Sequence, residues 1–292
     1  MDRARLDPHR FRISVPATDK KRELPMTAAA HKTIPELGSI RFENVTKKFG
    51  SITALDNVSV EFAANKINVL LGLSGSGKST MLRHINGLNK PSTGDVWTLG
   101  TPVHSASPTT LRALRNNVGM IFQQFHLVES MSVLENVCTG KLGSLRGPRF
   151  GLWSYPRYVR ENAMEQLARV GLADKAFQRA GTLSGGQQQR AAIARALIQR
   201  PTVLLADEPV ASLDPLSSAG VIELLAQISR EENLTVICSL HQVHIALEFA
   251  DRIVGLNAGR VVLDRPAAGL THNDVDGIYA PVPVDERVKI AV

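Results

Sequence analysis

An apolar run at residues 67–71 (Ile67-Asn68-Val69-Leu70-Leu71) leads directly into Gly72-Leu73-Ser74-Gly75-Ser76-Gly77-Lys78-Ser79-Thr80, and a helix-forming stretch follows. No other feature constrains the fold as tightly. Gly72, Gly75 and Gly77 allow backbone conformations that a side chain would block, so successive N–H groups can point inward at anionic oxygens. The spacing G-x-x-x-x-G-K-[ST] is the one that wraps the phosphates of a nucleotide. The helix opening near Lys78 turns its positive end to the same place. Strand, loop and helix in this order predict an α/β domain with a phosphate site at the strand end. Lys78 is then placed to reach the β- and γ-phosphates, and the Ser79 hydroxyl to hold Mg²⁺.

A second group of residues narrows this reading. Residues 202–206 form another apolar run that ends in Asp207-Glu208, which puts two carboxylates at a strand end beside the loop. Asp207 suits a Mg²⁺ partner, and Glu208, projecting differently, suits the orientation and activation of water. Before them, Leu183-Ser184-Gly185-Gly186-Gln187 opens a helix. Its hydroxyl, bare glycine N–H groups and helix dipole make a second anion site. One nucleotide needs only one phosphate loop. The spare site makes sense if it serves the nucleotide of a second copy, so that two chains clamp ATP between them.

The chain has 292 residues, 43% of them hydrophobic, enough for one large domain or one domain with an inserted lobe. No stretch reaches the ~18 consecutive apolar residues of a membrane span, and no leader pattern is visible; a cytosolic protein is expected. Cys138 and Cys238 have no metal or disulfide spacing. The net charge of +7 is densest in residues 1–22 and 141–160, which reads as a solvated basic surface or as a rim facing a membrane or a membrane partner.

Residues 1–38, with four prolines and no periodicity, read as a mobile basic extension. A catalytic domain is expected over 39–270 and a tail over 271–292. Period-two alternation at 40–45 and 58–62 predicts strands in an N-terminal β portion. A mainly helical lobe is expected at about 124–180, with a helix at 160–170 and a glycine-, arginine- and aromatic-rich loop at 140–158. Helices at 184–199, 215–230 and 243–249 alternate with strands at 202–206 and 234–239. A hairpin at 252–263 follows.

In this order of motifs, residues 39–270 resemble the nucleotide-binding subunits of ATP-binding cassette transporters. The resemblance implies a phosphate-loop core with an inserted helical lobe and an antiparallel N-terminal β portion. It implies that Phe49 stacks on adenine, although tyrosine is commoner there, and that Gln123 touches Mg²⁺ and senses the permease. Leu183 to Gln187 becomes the signature, and Asp214, in Ser212-Leu213-Asp214, speaks across the dimer. His241 becomes the switch that contacts the γ-phosphate, here within Ser239-Leu240-His241-Gln242 in place of the frequent Thr-His-Asp. The flanking sequences Arg83 to Leu88, Phe122 to Phe125, Arg179 to Ser184 and Cys238 to Val243 resemble those of phosphonate-import ATPases.

The expected protein is thus an ATPase that couples ATP and Mg²⁺ to solute import. It works as a head-to-tail homodimer, peripheral on the cytoplasmic face of the inner membrane. Its expected partners are transmembrane permease subunits and, through them, a periplasmic or extracellular solute-binding protein; no nucleic acid is expected. Phosphite, phosphate and other small oxyanions are rival cargoes. A soluble cassette ATPase acting on DNA or ribosomes is the alternative of another class, disfavoured by a single cassette without heptads.

Overall fold

The computed structural model describes residues 39–147 and 150–280; the basic extension expected at 1–38 lies outside them. In chain order the first elements are β1 (Ile40–Phe49), β2 (Ile52–Phe62), β3 (Ile67–Leu71), α1 (Lys78–Ile85), β4 (Thr93–Thr98) and β5 (Thr101–Pro102). Next come α2 (Pro108–Arg115), β6 (Val118–Ile121), α3 (Val133–Cys138), α4 (Arg157–Arg169) and α5 (Gly185–Leu197). The chain continues with β7 (Val203–Asp207), α6 (Pro215–Glu232), β8 (Thr235–Leu240), α7 (Val243–Phe249), β9 (Arg252–Asn257), β10 (Arg260–Pro266) and α8 (His272–Val275).

Two sheets form. One is antiparallel, in the order β2-β1-β4-β5; the other runs β10-β9-β3-β8-β7-β6. In the larger sheet β3 pairs in parallel with both β8 and β9, and β8, β7 and β6 continue the parallel set. Alternation along its central strands divides the core in two. Val69 and Leu71 of β3, Leu204 and Ala206 of β7 and Val236 and Cys238 of β8 face one cluster, which extends into the helical lobe. Leu70, Leu205 and Ile237 face the other, shared with Met81, Leu82 and Ile85 of α1 and with Phe42 and Phe62 of the antiparallel sheet. Helix α1 is therefore held between two sheets, and strands buried on both faces explain the unbroken apolar runs in the sequence.

The lobe is built from α3, α4 and the start of α5. Ser132 caps α3, its Oγ accepting from Glu135 N at 3.1 Å. Asn136, 1% exposed, receives Val128 N at 2.8 Å and donates to Val128 O at 3.0 Å. That pair of bonds pins the apolar approach to the lobe. Arg169 of α4 pairs with Glu231 and Glu232 at the end of α6, tying lobe to core.

Some elements differ from the sequence reading. The helix expected at 160–170 begins at Arg157, because Pro156 at its N-cap needs no partner for a backbone N–H. The loop expected at 140–158 contains two 3₁₀ turns, Thr139–Ser144 and Leu152–Ser154. Residues 271–280 fold back: Thr271 and Asp274 form a capping box for α8, and Val275 and Ile278 are each 1% exposed. Ile278 packs over Gly255 so closely that a Cβ there would lie 2.5 Å from its side chain. Ile278→Ala should cost about 2–5 kcal/mol, the usual range for a buried isoleucine. Urea unfolding should show this as a lower midpoint at unchanged slope.

Candidate functional site

The C-terminal ends of β3, β7, β8 and β6 lie side by side. Leu71 pairs with Leu240, Asp207 with Ser239, and Ile121 with Ala206. In open parallel sheets such an edge is where ligands bind. The residues that follow these four strands are the ones singled out from sequence: the loop after β3, Asp207 and Glu208, His241 and Gln123.

The loop after β3 is shaped by close approach. A Cβ on Gly77 (φ +106°) would meet Ala54 O at 2.6 Å, and one on Gly72 would meet Leu256 O at 2.3 Å. Only glycine allows β2 and β9 to pack so near. Lys78, 3% exposed, donates to Gly72 O at 2.8 Å and Leu73 O at 3.0 Å. Its Nζ also lies 3.9 Å from Glu208 Oε1. Burial lowers the pKa of Lys78, and the carboxylates of Glu208 and Asp207 partly offset that.

Asp207 joins β7 to β8 and to the start of α1. Its Oδ1 accepts from Ser79 Oγ at 2.8 Å and from Ser239 Oγ at 2.9 Å. The Ser239 hydroxyl in turn receives Glu208 N at 2.8 Å, so one side chain positions both acids. Ser239, inside β8, has no role assigned from sequence; its bond to Asp207 follows from the β7–β8 register, which sets the two opposite each other. Glu208 itself has φ +47°, a left-handed conformation that costs a non-glycine residue ~1–3 kcal/mol and occurs preferentially at functional sites. His241 Nε2 lies 2.6 Å from Glu208 Oε1. Gln123 is exposed two residues beyond β6. Phe49, 47% exposed, ends β1 at the hairpin whose second strand approaches Gly77, and Lys47 Nζ lies 4.8 Å from its ring centroid.

The signature residues stand apart from this group. Ser184 caps α5, with Gln187 completing a capping box. Gly185 and Gly186 pack on the turn before α6: Cβ atoms there would lie 3.3 Å from Leu213 Cδ2 and 2.9 Å from Ser217 Oγ. Asp214 caps α6 by accepting from Ser217 N at 3.0 Å, and those bonds hold its carboxyl below the usual range. Among the described residues, the hydrogen bonds of 184–188 run to one another and to Ala180 and Leu183, not to the 72–80 loop. The structure thus joins Ser79, Lys78, Asp207, Glu208 and His241 in one cluster, and Ser184 to Gln187 with Asp214 in another.

A phosphate loop backed by a buried carboxylate, with a second acid held against a histidine, is the furniture of a nucleotide-hydrolysing cassette. The chain matches the ABC transporter family over residues 55–211 and belongs to it. It is 61% identical over 249 residues to the phosphonates import ATP-binding protein PhnC of Frankia casuarinae, covering 85% of this chain and 98% of that one. It is 57% identical to the phosphate-import ATP-binding protein PhnC of Mycolicibacterium smegmatis, covering 85% and 92%. Among solved structures, the dimeric post-hydrolysis state of the ATP-binding cassette MJ0796 bound to ADP and Pi is similar with a TM-score of 0.69 and 35% identity, covering 79% of this chain and 100% of that one. The protein is an ATP-binding, ATP-hydrolysing cassette, and no described helix is long and apolar enough to cross a membrane.

If Lys78 meets the phosphates, as the sequence leads one to expect, its lowered pKa makes nucleotide binding depend on pH. Phosphates favour its charged form, and the free chain releases that proton below the ordinary value of 10.5. Affinity should hold while Lys78 is protonated and fall as pH rises through its lowered pKa. Titration with a fluorescent ATP analogue from neutral pH upward should show the fall before pH 10.5, and Lys78→Arg, whose guanidinium keeps its charge, should flatten it. A profile equally flat in the wild type would contradict the assignment.

Proposed function

We propose that this chain is the ATPase subunit of a phosphonate importer, peripheral on the cytoplasmic face of the inner membrane. The observation that carries the cargo is 61% identity across 98% of a phosphonates import protein. Relatives named for phosphate and for hypophosphite, the latter 44% identical, favour small phosphorus oxyanions as the second reading. Phosphate is the first of these to test.

In this reading the 72–80 loop wraps the β- and γ-phosphates of ATP, with Lys78 released from Gly72 O and Leu73 O to meet them. Ser79, Asp207 and Gln123 would hold Mg²⁺. The hydroxyl–carboxylate pair already formed between Ser79 and Asp207 is a hard oxygen donor set, which Mg²⁺ takes together with phosphate and water. The ion would neutralise charge on the transferred phosphoryl group. Glu208 orients and deprotonates the attacking water, and His241, within hydrogen-bond reach of that carboxylate, contacts the γ-phosphate. Phe49 stacks on adenine. Ser184, Gly185, Gly186 and Gln187 close on the ATP of the partner copy, with Asp214 speaking across the interface. Their separation from the chain's own phosphate loop supports that head-to-tail dimer.

The lobe carries the coupling surface to the permease, and the permease meets the solute-binding protein outside. The apolar residues before and into α3 divide between core and surface. Val133 and Leu134 are core residues, at 0% and 3% exposure, while Val128 is 49% exposed and Phe125, Leu127 and Met131 are half-buried. The docking edge is therefore 125–131, next to Gln123.

Glu208→Gln should bind ATP but turn it over at least ~100-fold more slowly, the scale of a lost general base, and should sediment as a dimer with ATP. Wild-type turnover would remove Glu208 from the role. Reconstituted with its permease and binding protein, the wild-type complex should hydrolyse ATP faster when a phosphonate is added. Stimulation by phosphate alone would transfer the cargo to the second reading. Val128→Asp should abolish that stimulation while the free chain keeps its basal ATPase.

A further inference from the structure

The turn between α3 and α4 holds large aromatic rings out in solvent. Phe150 and Trp153 are each 84% exposed, and Tyr158, at the start of α4, is 62% exposed. Single exposed apolar residues are ordinary on a surface; three aromatic rings within one short segment mark a contact site. The turn that carries them is ordered by its own bonds. Ser154 Oγ accepts from Phe150 N at 3.0 Å and donates to Gly151 O at 2.7 Å. Beside them Tyr155, 4% exposed, belongs to the lobe's core, and the 152–154 turn packs on α3.

The sequence around these rings is rich in cations. Residues 141–160 contain five Lys and Arg and no Asp or Glu. The Arg160 guanidinium lies 5.0 Å from the Trp153 ring centroid. Lys141 and Arg200 share a cleft of about 350 Å³ with Tyr158; burial, and next the charge of Arg200, lower the pKa of Lys141. The acids nearby are set back on α4: Glu161, bound to Arg157 at 2.7 Å, and Glu165, in the same cleft.

Amphipathic rings settle at headgroup depth in a bilayer, and interleaved cations are drawn to anionic lipids. Guanidinium groups add charge-assisted bonds to lipid phosphates. The turn packs on α3, in the same lobe that is assigned above to the permease, a placement that rests on the importer reading. We propose that the 150–158 turn is a lipid-contacting foot, which sets Phe150 and Trp153 among anionic phospholipid headgroups beside the permease.

The test uses the full-length chain and vesicles without any permease, so its outcome is independent of transport. The sequence has two tryptophans, so Trp97→Phe leaves Trp153 as the sole reporter. With phosphatidylglycerol-containing vesicles the chain should co-float and Trp153 emission should shift to the blue; with phosphatidylcholine alone neither should occur. Raising salt to 1 M should weaken binding through screening. Phe150→Ser/Trp153→Ser should reduce partitioning at least about tenfold, as expected when inserted apolar area is lost, with basal ATPase unchanged. Arg157→Ser/Arg160→Ser should weaken binding to phosphatidylglycerol vesicles in the same direction. Absence of flotation, an unmoved Trp153 spectrum, or equal flotation of the aromatic double variant would each overturn the proposal; the last would move attachment to another basic segment. A shift of Trp153 emission only in a detergent-solubilised permease complex, and never with vesicles, would overturn it in favour of a protein contact. If the vesicle results hold and phosphonate stimulation fails, only the cargo reading falls.

Discussion

The carboxylate of Asp207 is the point on which the site depends. It is 5% exposed, and a carboxylate so buried is costly unless it is hydrogen-bonded. Ser79, at the start of α1, and Ser239, near the end of β8, both donate to its Oδ1. The arrangement requires β3, β8 and β7 to end at one level, which their unbroken parallel register ensures. A slip of one residue would turn every side chain to the opposite face, and the two core clusters that sandwich the sheet forbid it.

Glu208 follows from the same constraint. Its N–H is taken by Ser239 and its side chain by His241, so the chain after β7 turns through a left-handed residue that no glycine relieves. The surrounding register and the two hydrogen bonds hold that conformation. The result is an acid aimed at the phosphate loop, a direction that a relaxed backbone at this position would not present.

The lobe answers to different forces. Asn136 pins its entrance, Arg169 and the 231–232 acids tie it to α6, and its helices contribute to the larger of the two apolar clusters. The 212–217 turn then seats Gly185 and Gly186 at contact distance, which leaves the start of α5 as an exposed, capped helix terminus away from the chain's own loop. A helix end so prepared is suited to an anion from elsewhere.

Much of this could be read from the sequence, for identifiable reasons. The loop at 72–80 announced itself because glycine spacing and flanking periodicity are local properties, and the buried strands did because burial on both faces leaves an unbroken apolar run. Other elements escaped notice though their signals were present: α2 begins with Ser107 as cap and Pro108 in its first turn, and α8 has the capping box Thr271–Asp274. Both are too short for periodicity to reveal. The tertiary structure alone decided that Ser239 bonds to Asp207, that Ile278 covers Gly255, and that Val133 and Leu134 are core while Val128 is surface. Each depends on which distant strand or helix lies alongside. The sequence by itself determined the chemistry available at each strand end; register and packing between segments far apart in the chain determined which groups meet, because contact distances are set by the fold and not by spacing along the chain.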